Sequence, residues 1–203
     1  MSIVFHYAPM SSAGPVAWAL AELSVPHEKV LVDLKAGDQR RPEFLKLNPN
    51  GKVPTLVIDG VPMFEALAIL LWLGDRFGVD KHLWPGLDDP TRPQAMAWSA
   101  WAYVTLGAAI LGLGLSSSDR FGLQSAPHAE HHRKALSDLF AIVDGHLAGR
   151  AYMLGEAFSI TDLILASTIG YAGMIGVPVA PHARVAEWLG RCQARPALRA
   201  SMG

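Results

Sequence analysis

A single cysteine, Cys192, occurs in a chain of 203 residues. That scarcity excludes an internal disulfide and a clustered thiolate metal site, and it fits a reducing compartment. Charge of one sign is equally scarce. The 17 Lys and Arg balance 18 Asp and Glu, so no basic field gathers nucleic acid or an anionic membrane, and no acidic excess marks a disordered tail. Partners are therefore recognised locally. The opening Met1-Ser2-Ile3-Val4-Phe5-His6 has neither a basic segment nor a long apolar stretch, so no secretory signal is read and the expectation is cytoplasmic.

One stretch does lack charge over a considerable length, from Pro93 to Ser118. A membrane-spanning helix needs about 20 apolar residues. Gln94, Ser99, Thr105 and interrupting glycines and tyrosine dilute this one, and no Lys/Arg cluster flanks it to set an orientation. The expectation is no membrane, and instead a helix buried on most faces in a helical domain or a subunit interface.

What is present organises the first 78 residues clearly. Ile3 to Tyr7 is a β-prone run that stops at Ala8-Pro9, and from Gly14 to Leu23 apolar residues recur at helical spacing (Val16, Trp18, Ala19, Leu20, Leu23). His27 to Leu34 alternates like a strand. Lys35 to Arg41 is a polar connector, and Pro42 to Leu47 reads as a short helix with proline in its first turn. The βαβ opening implies a parallel strand pair. Thr55–Ile58 and Val61–Phe64 flank Asp59-Gly60, a strong hairpin signal, and a helix follows from Glu65 to about Phe77.

The order β-α-β-α-β-β-α is that of a thioredoxin-like domain, assigned to residues 1–78. Residues 79–92, with their glycines and prolines, read as a linker. Residues 93–203 read as an all-helical C-terminal domain, with helices near 94–115, 124–148, 159–174 and 182–192 and a short turn after Pro196. The fold class is thus α/β plus all-α, without internal repeats or low-complexity tracts.

Three segments make the chain similar to the cytosolic glutathione S-transferase family across nearly its whole length. The first is Asn48-Pro49-x-Gly51-x-Val53-Pro54. The second is Phe64-Glu65-Ala66-x-Ala68-Ile69-x-x-Trp72-Leu73, and the third is Phe158-Ser159-Ile160-Thr161-Asp162, which has the spacing of a capping box. The tail Arg195-Pro196-Ala197 resembles the family as well. Within the family the chain looks like the bacterial beta- and theta-like branches.

The resemblance implies a cis bond before Pro54, leaving the Val53 backbone free to pair with the cysteinyl unit of glutathione as a short added strand. It implies that Glu65 takes the ammonium and the Ala66 N–H the carboxylate of the γ-glutamyl end. Serine is commonest at the position of Ala66, so a hydroxyl contact is missing here. A hydrogen bond to a charged group is worth about 1.5–3 kcal/mol, so weaker glutathione binding is expected. Lys35 or Lys52 would reach the glycine carboxylate, and the alternative for either is a solvated loop charge.

Such an enzyme must hold the glutathione sulfur as thiolate near neutral pH, against a free thiol pKa of about 8.5. Lowering it by two units requires about 2.7 kcal/mol, within reach of one hydroxyl and a helix N-terminus. Ser11 and Ser12, between the first strand and first helix, are the catalytic candidates. Ser12 aligns with the cysteine of the beta-like branch, Ser11 with the serine of theta- and phi-like branches, and helix capping is the alternative for both. Tyr7, Met10, Trp101 and Tyr103 are assigned to the electrophile pocket, with core packing or a dimer contact as the alternative for the aromatics.

His128, His131 and His132 have helical spacing that could in principle bind metal, but a solvated polar face is the expected reading, and no metal is assigned. The resemblance implies glutathione as co-substrate, a hydrophobic electrophile as second substrate and a homodimer. Isomerase, peroxidase or dehalogenase chemistry is a variant of the same expectation. A glutathione transferase-like binding or interaction module without turnover is the alternative.

Overall fold

The β-prone run of residues 3–7 places Ile3 and Phe5 on one face and forms strand β1 (Ile3–Tyr7) with both side chains buried. The computed structural model describes residues 1–119 and 122–201. Helix α1 (Gly14–Glu22) opens with proline in its first turn and buries Val16, Trp18, Ala19 and Leu20. The chain continues through β2 (Glu28–Leu31), α2 (Pro42–Leu47), β3 (Thr55–Ile58), β4 (Val61–Phe64) and α3 (Ala66–Leu73), which runs on into a π-helical turn, Gly74–Gly78.

The sheet order is β2-β1-β3-β4. Strand β1 pairs parallel with β2 (Val4 opposite Glu28) and antiparallel with β3 (Phe5 opposite Leu56). Strands β3 and β4 form the hairpin, with Asp59 at φ 46° and Gly60 at φ 83° as its two-residue turn. The N-terminal segment thus has the thioredoxin-like order read from the sequence, and an all-helical segment follows.

The chain forms two compact units, Met1–Trp84 joined by the segment from Arg195 onward, and Pro85–Ala194. In the first, α1 packs against α3 and against the last helix, α9 (Pro196–Ser201). The Arg195 guanidinium donates from Nε to Glu22 Oε1 at 3.0 Å and pairs with it again through Nη2, while Trp18 Nε1 donates to Glu22 Oε2 at 3.2 Å. Glu22 has only 7% of its side chain exposed, and these donors compensate the loss of water around its charge.

The second unit contains α4 (Arg92–Trp101), a π-helical turn (Ala102–Leu106), α5 (Gly107–Ser117), α6 (Ala126–His146), α7 (Ile160–Met174) and α8 (Ala183–Gln193). Of the two settings expected for the helix over 93–118, the helical domain covers one face of it. Ala95, Ser99, Ala102 and Leu106 are buried at heptad spacing, one face of the helix, whereas Val104 and Leu111 are exposed. By length and composition the run Arg92–Ser117, of mean hydropathy 1.4, suffices to cross a membrane; in the folded unit α4 packs on α7 and α5 on α6.

His132 is not on a fully solvated face either. Its ring lies so close to Gly112 of α5 that a Cβ there would meet it at 2.3 Å. Among the described residues no group of three or more His, Cys, Asp or Glu side chains is placed to hold a metal ion.

Helix α7 is the core of this unit, with Leu163, Ile164, Leu165 and Ile169 fully buried. Its start carries the capping box that the Ser-x-x-Asp spacing predicts. Asp162 does more than cap. Its Oδ1 accepts from Met153 N at 2.7 Å and Trp188 Nε1 at 2.9 Å, and its Oδ2 accepts from Ser159 N at 2.9 Å and Ser159 Oγ at 2.7 Å. Burial pushes this carboxyl above its ordinary pKa, and the four donors oppose that shift.

Candidate functional site

The turn before β3 is built by Asn48. Its side chain is almost fully buried and donates from Nδ2 to Lys52 O at 2.7 Å and Thr55 Oγ1 at 3.2 Å, while its Oδ1 accepts from Asn50 N at 3.0 Å. Gly51 sits at φ 59°, and a Cβ there would lie 2.9 Å from the Gln39 carbonyl. Only glycine fits that conformation against that neighbour. The turn ends in a cis Val53–Pro54 peptide, and both residues are buried.

The loop from β1 to α1 meets this turn through Ser12. Its Oγ donates to the Val53 carbonyl at 2.8 Å, across 41 positions of sequence. Ser11 Oγ donates to Ala8 O at 2.6 Å and accepts from Ala13 N at 3.1 Å, which staples the loop ahead of α1. Both hydroxyl protons are thus given to backbone carbonyls, and α1 itself has no side-chain cap.

Met10 stands in the same loop at φ 51° and is 89% exposed. Tyr7 is half-buried, stacked on Phe5 with ring centroids 5.6 Å apart and with Lys29 Nζ 5.9 Å over its own ring. On the same strand, burial holds the His6 pKa below its ordinary value against the pull of Glu28.

Glu65 occupies the N-cap position of α3 at φ 69° and ψ 114°. Its side chain is exposed and makes no hydrogen bond or ion pair among the described residues. A carboxylate there faces the positive end of the helix with its oxygens uncommitted. Ala66 begins α3 with its side chain buried, so its methyl group serves packing and only its N–H is available to a ligand.

Lys35 and Lys52 are both exposed. The backbone N–H of Lys35 donates to Asp33 Oδ1 at 2.8 Å, and Lys52 precedes Val53 in the turn. Trp101 and Tyr103 belong to the helical unit. Trp101 lies edge-on to Trp98 with centroids 5.3 Å apart, and Trp98 is 4.6 Å from the His146 ring.

The structure therefore joins two of the sequence candidates directly, Ser12 and Val53. It also gives Asn48 a role that sequence reading did not assign, although an Asn two residues before a second Asn, ahead of Gly, is the pattern of an Asx turn. Chemically, the first unit offers a buried turn carrying a main-chain edge, an uncommitted carboxylate over a helix N-terminus, and two hydroxyls at the start of α1.

Comparison with known proteins identifies the family. Residues 10–76 match the glutathione S-transferase N-terminal domain and residues 126–200 the corresponding C-terminal domain. The chain is 31% identical to glutathione S-transferase GstB of Escherichia coli over 91% of its own length and 89% of that protein. It is 29% identical to the E. coli disulfide-bond oxidoreductase YfcG over 99% and 97% of the two chains.

A solved glutathione transferase from Burkholderia graminis, with two glutathione molecules bound per subunit, superposes with a TM-score of 0.84 at 27% identity, covering 99% of this chain and 87% of that one. The two domain matches, the near full-length relatives and the shared fold agree: this chain belongs to the glutathione S-transferase family.

Proposed function

We propose that the protein is a glutathione transferase that docks the cysteinyl unit of glutathione on the Val53–Pro54 turn and its γ-glutamyl end on Glu65 and the Ala66 N–H, with Lys35 or Lys52 at the glycine carboxylate. The sulfur then lies at the start of α1, where a hydroxyl of Ser12 or Ser11 and the helix N-terminus hold it as thiolate. The thiolate attacks a small apolar electrophile; a carbon–sulfur bond forms as the leaving group departs with its electron pair. Tyr7 and Met10 of the first unit are proposed to contact the electrophile.

The observation that carries this reading is the cis Val53–Pro54 turn with the Ser12 hydroxyl 2.8 Å from the Val53 carbonyl; the bond supports proximity of Ser12 to the docking residue, and in the complex its proton would turn from that carbonyl to the sulfur. The exposed Met96, Val104 and Leu111 of the helical unit support a homodimer as the working assembly.

Retention on immobilised glutathione followed by conjugation of a chloronitroarene tests the proposal. Folded protein that neither retains nor turns over would overturn it. A second reading is favoured by the full-length likeness to a disulfide-bond oxidoreductase: thiol–disulfide exchange, in which bound glutathione thiolate attacks a disulfide, forms a mixed disulfide and releases the other thiolate. The lone Cys192 is buried in α8, so this chemistry would run through glutathione and not through an enzyme thiol. Retention with disulfide reduction and no conjugation would select that reading; retention with neither would mark a binding module.

A further inference from the structure

The helical unit holds a cleft that shares no residue with the proposed glutathione site. A cavity of about 460 Å³ opens between α8 and the chain that follows α6, within the roughly 300–1,000 Å³ range of small-ligand sites. Arg150 and Glu156 line it from the loop. Arg184, Glu187 and Arg191 line it from α8, at the i, i+3 and i+7 spacing of one helix stripe.

The charged groups in this cleft do not pair as their spacing invites. Glu187 and Arg191 stand at i and i+4 in the favoured order for a helical ion pair, yet Arg191 turns away. Its Nη2 donates to Ala151 O at 2.8 Å, and its guanidinium lies 5.8 Å over the Tyr152 ring. Arg184 is engaged by Asp144, through Nε to the carbonyl at 2.7 Å and Nη2 to the carboxylate at 2.7 Å. Arg150 Nη1 donates to His146 O at 2.6 Å.

Of the five N–H donors on a guanidinium, Arg150 and Arg191 each commit one in these contacts, and the tether fixes where the rest stand. Glu156 and Glu187 make no hydrogen bond or ion pair among the described residues.

With Arg184 neutralised by Asp144, the cleft presents two tethered guanidiniums and two uncommitted carboxylates. A polyanion would meet both glutamates, and a polyamine would meet both arginines. A ligand carrying both signs satisfies all four, because the planar fork of arginine suits a carboxylate and the glutamates suit an ammonium. We propose that this cleft binds a small amino-carboxylate zwitterion, a free amino acid or short peptide, with its carboxylate on Arg150 and Arg191 and its ammonium on Glu187 and Glu156.

The test is an amide NMR titration of the full chain with L-glutamate and, in parallel, with glutarate, which has the same carbon chain and no ammonium. L-Glutamate should give saturable shifts at Arg150, Ala151, Glu187 and Arg191, with glutarate about tenfold weaker. Glu187→Gln should abolish the preference for glutamate, and Arg150→Ala combined with Arg191→Ala should abolish the shifts while the α7 amides stay in place. If the double variant disturbs α7, Arg150→Ala alone, on the exposed loop, should still weaken glutamate severalfold. Equal affinity for the two ligands, shifts confined to Glu65 and Ala66, or no saturable shift in the cleft would each overturn the proposal.

Discussion

Ser12→Ala removes one hydroxyl and with it the 2.8 Å bond to the Val53 carbonyl. A neutral, partly buried hydrogen bond contributes about 0.5–1.5 kcal/mol. If that energy orders the turn on which the peptide docks, glutathione affinity should fall by roughly twofold to twelvefold. If the same hydroxyl donates to the thiolate in the complex, the loss is that of a bond to a charge, about 1.5–3 kcal/mol. At about 1.4 kcal/mol per unit, that raises the bound-thiol pKa by roughly one to two units.

Calorimetry reads the first effect, and the pH dependence of thiolate absorbance in the bound state reads the second. Ser12→Thr keeps the hydroxyl and should restore both. Ser11→Ala breaks the bonds to Ala8 and Ala13; it should disturb affinity while sparing the pKa if Ser12 is the donor, and raise the pKa if Ser11 is. Should neither alanine variant raise the pKa of the bound thiol, the assignment of thiolate stabilisation to these serines is refuted, whatever happens to affinity.

Two further outcomes concern the helical unit. Asp162→Asn leaves four inward-facing donors around a group with a single acceptor oxygen; stability should fall by about 3 kcal/mol, a drop of roughly 6–12 °C in Tm for a chain of this size, measured by thermal unfolding. Gly112→Ala drives a methyl into the His132 ring and should cost about 1–3 kcal/mol; adding His132→Ala should recover most of it, and failure of the double variant to recover in denaturant titration would show that the ring is not the obstacle.

Much of the fold was legible because local signals agreed with tertiary demands. The runs at residues 3–7, 55–58 and 61–64 alternate or cluster as strands, and the Asp59-Gly60 dipeptide takes the two positive φ angles its turn requires. The Ser159-to-Asp162 spacing gave the cap, but not that Trp188 and Met153 would share the same carboxylate, since those partners lie 26 and 9 positions away.

Which side of the charge-free helix the domain covers was not legible for a related reason. Composition reports how apolar a segment is, while the heptad of Ala95, Ser99, Ala102 and Leu106 decides which side is covered. At the candidate site, the motif Asn48 to Pro54 and Glu65 could be read from types and spacing. The Ser12–Val53 link could not, because it depends on how two loops 41 residues apart are brought together.

The bond between Arg195 and Glu22 has a consequence for the order in which the molecule can be made. Helix α9 and Arg195 belong to the unit whose other members end at Trp84. A ribosome therefore delivers the sheet and α1 first and the whole helical unit next, and supplies the clamp on α1 only after that unit. Until then Glu22 lacks its guanidinium, so the nascent first unit waits with a solvent-seeking carboxylate on α1, and its final stability is acquired only after the domain encoded downstream has emerged.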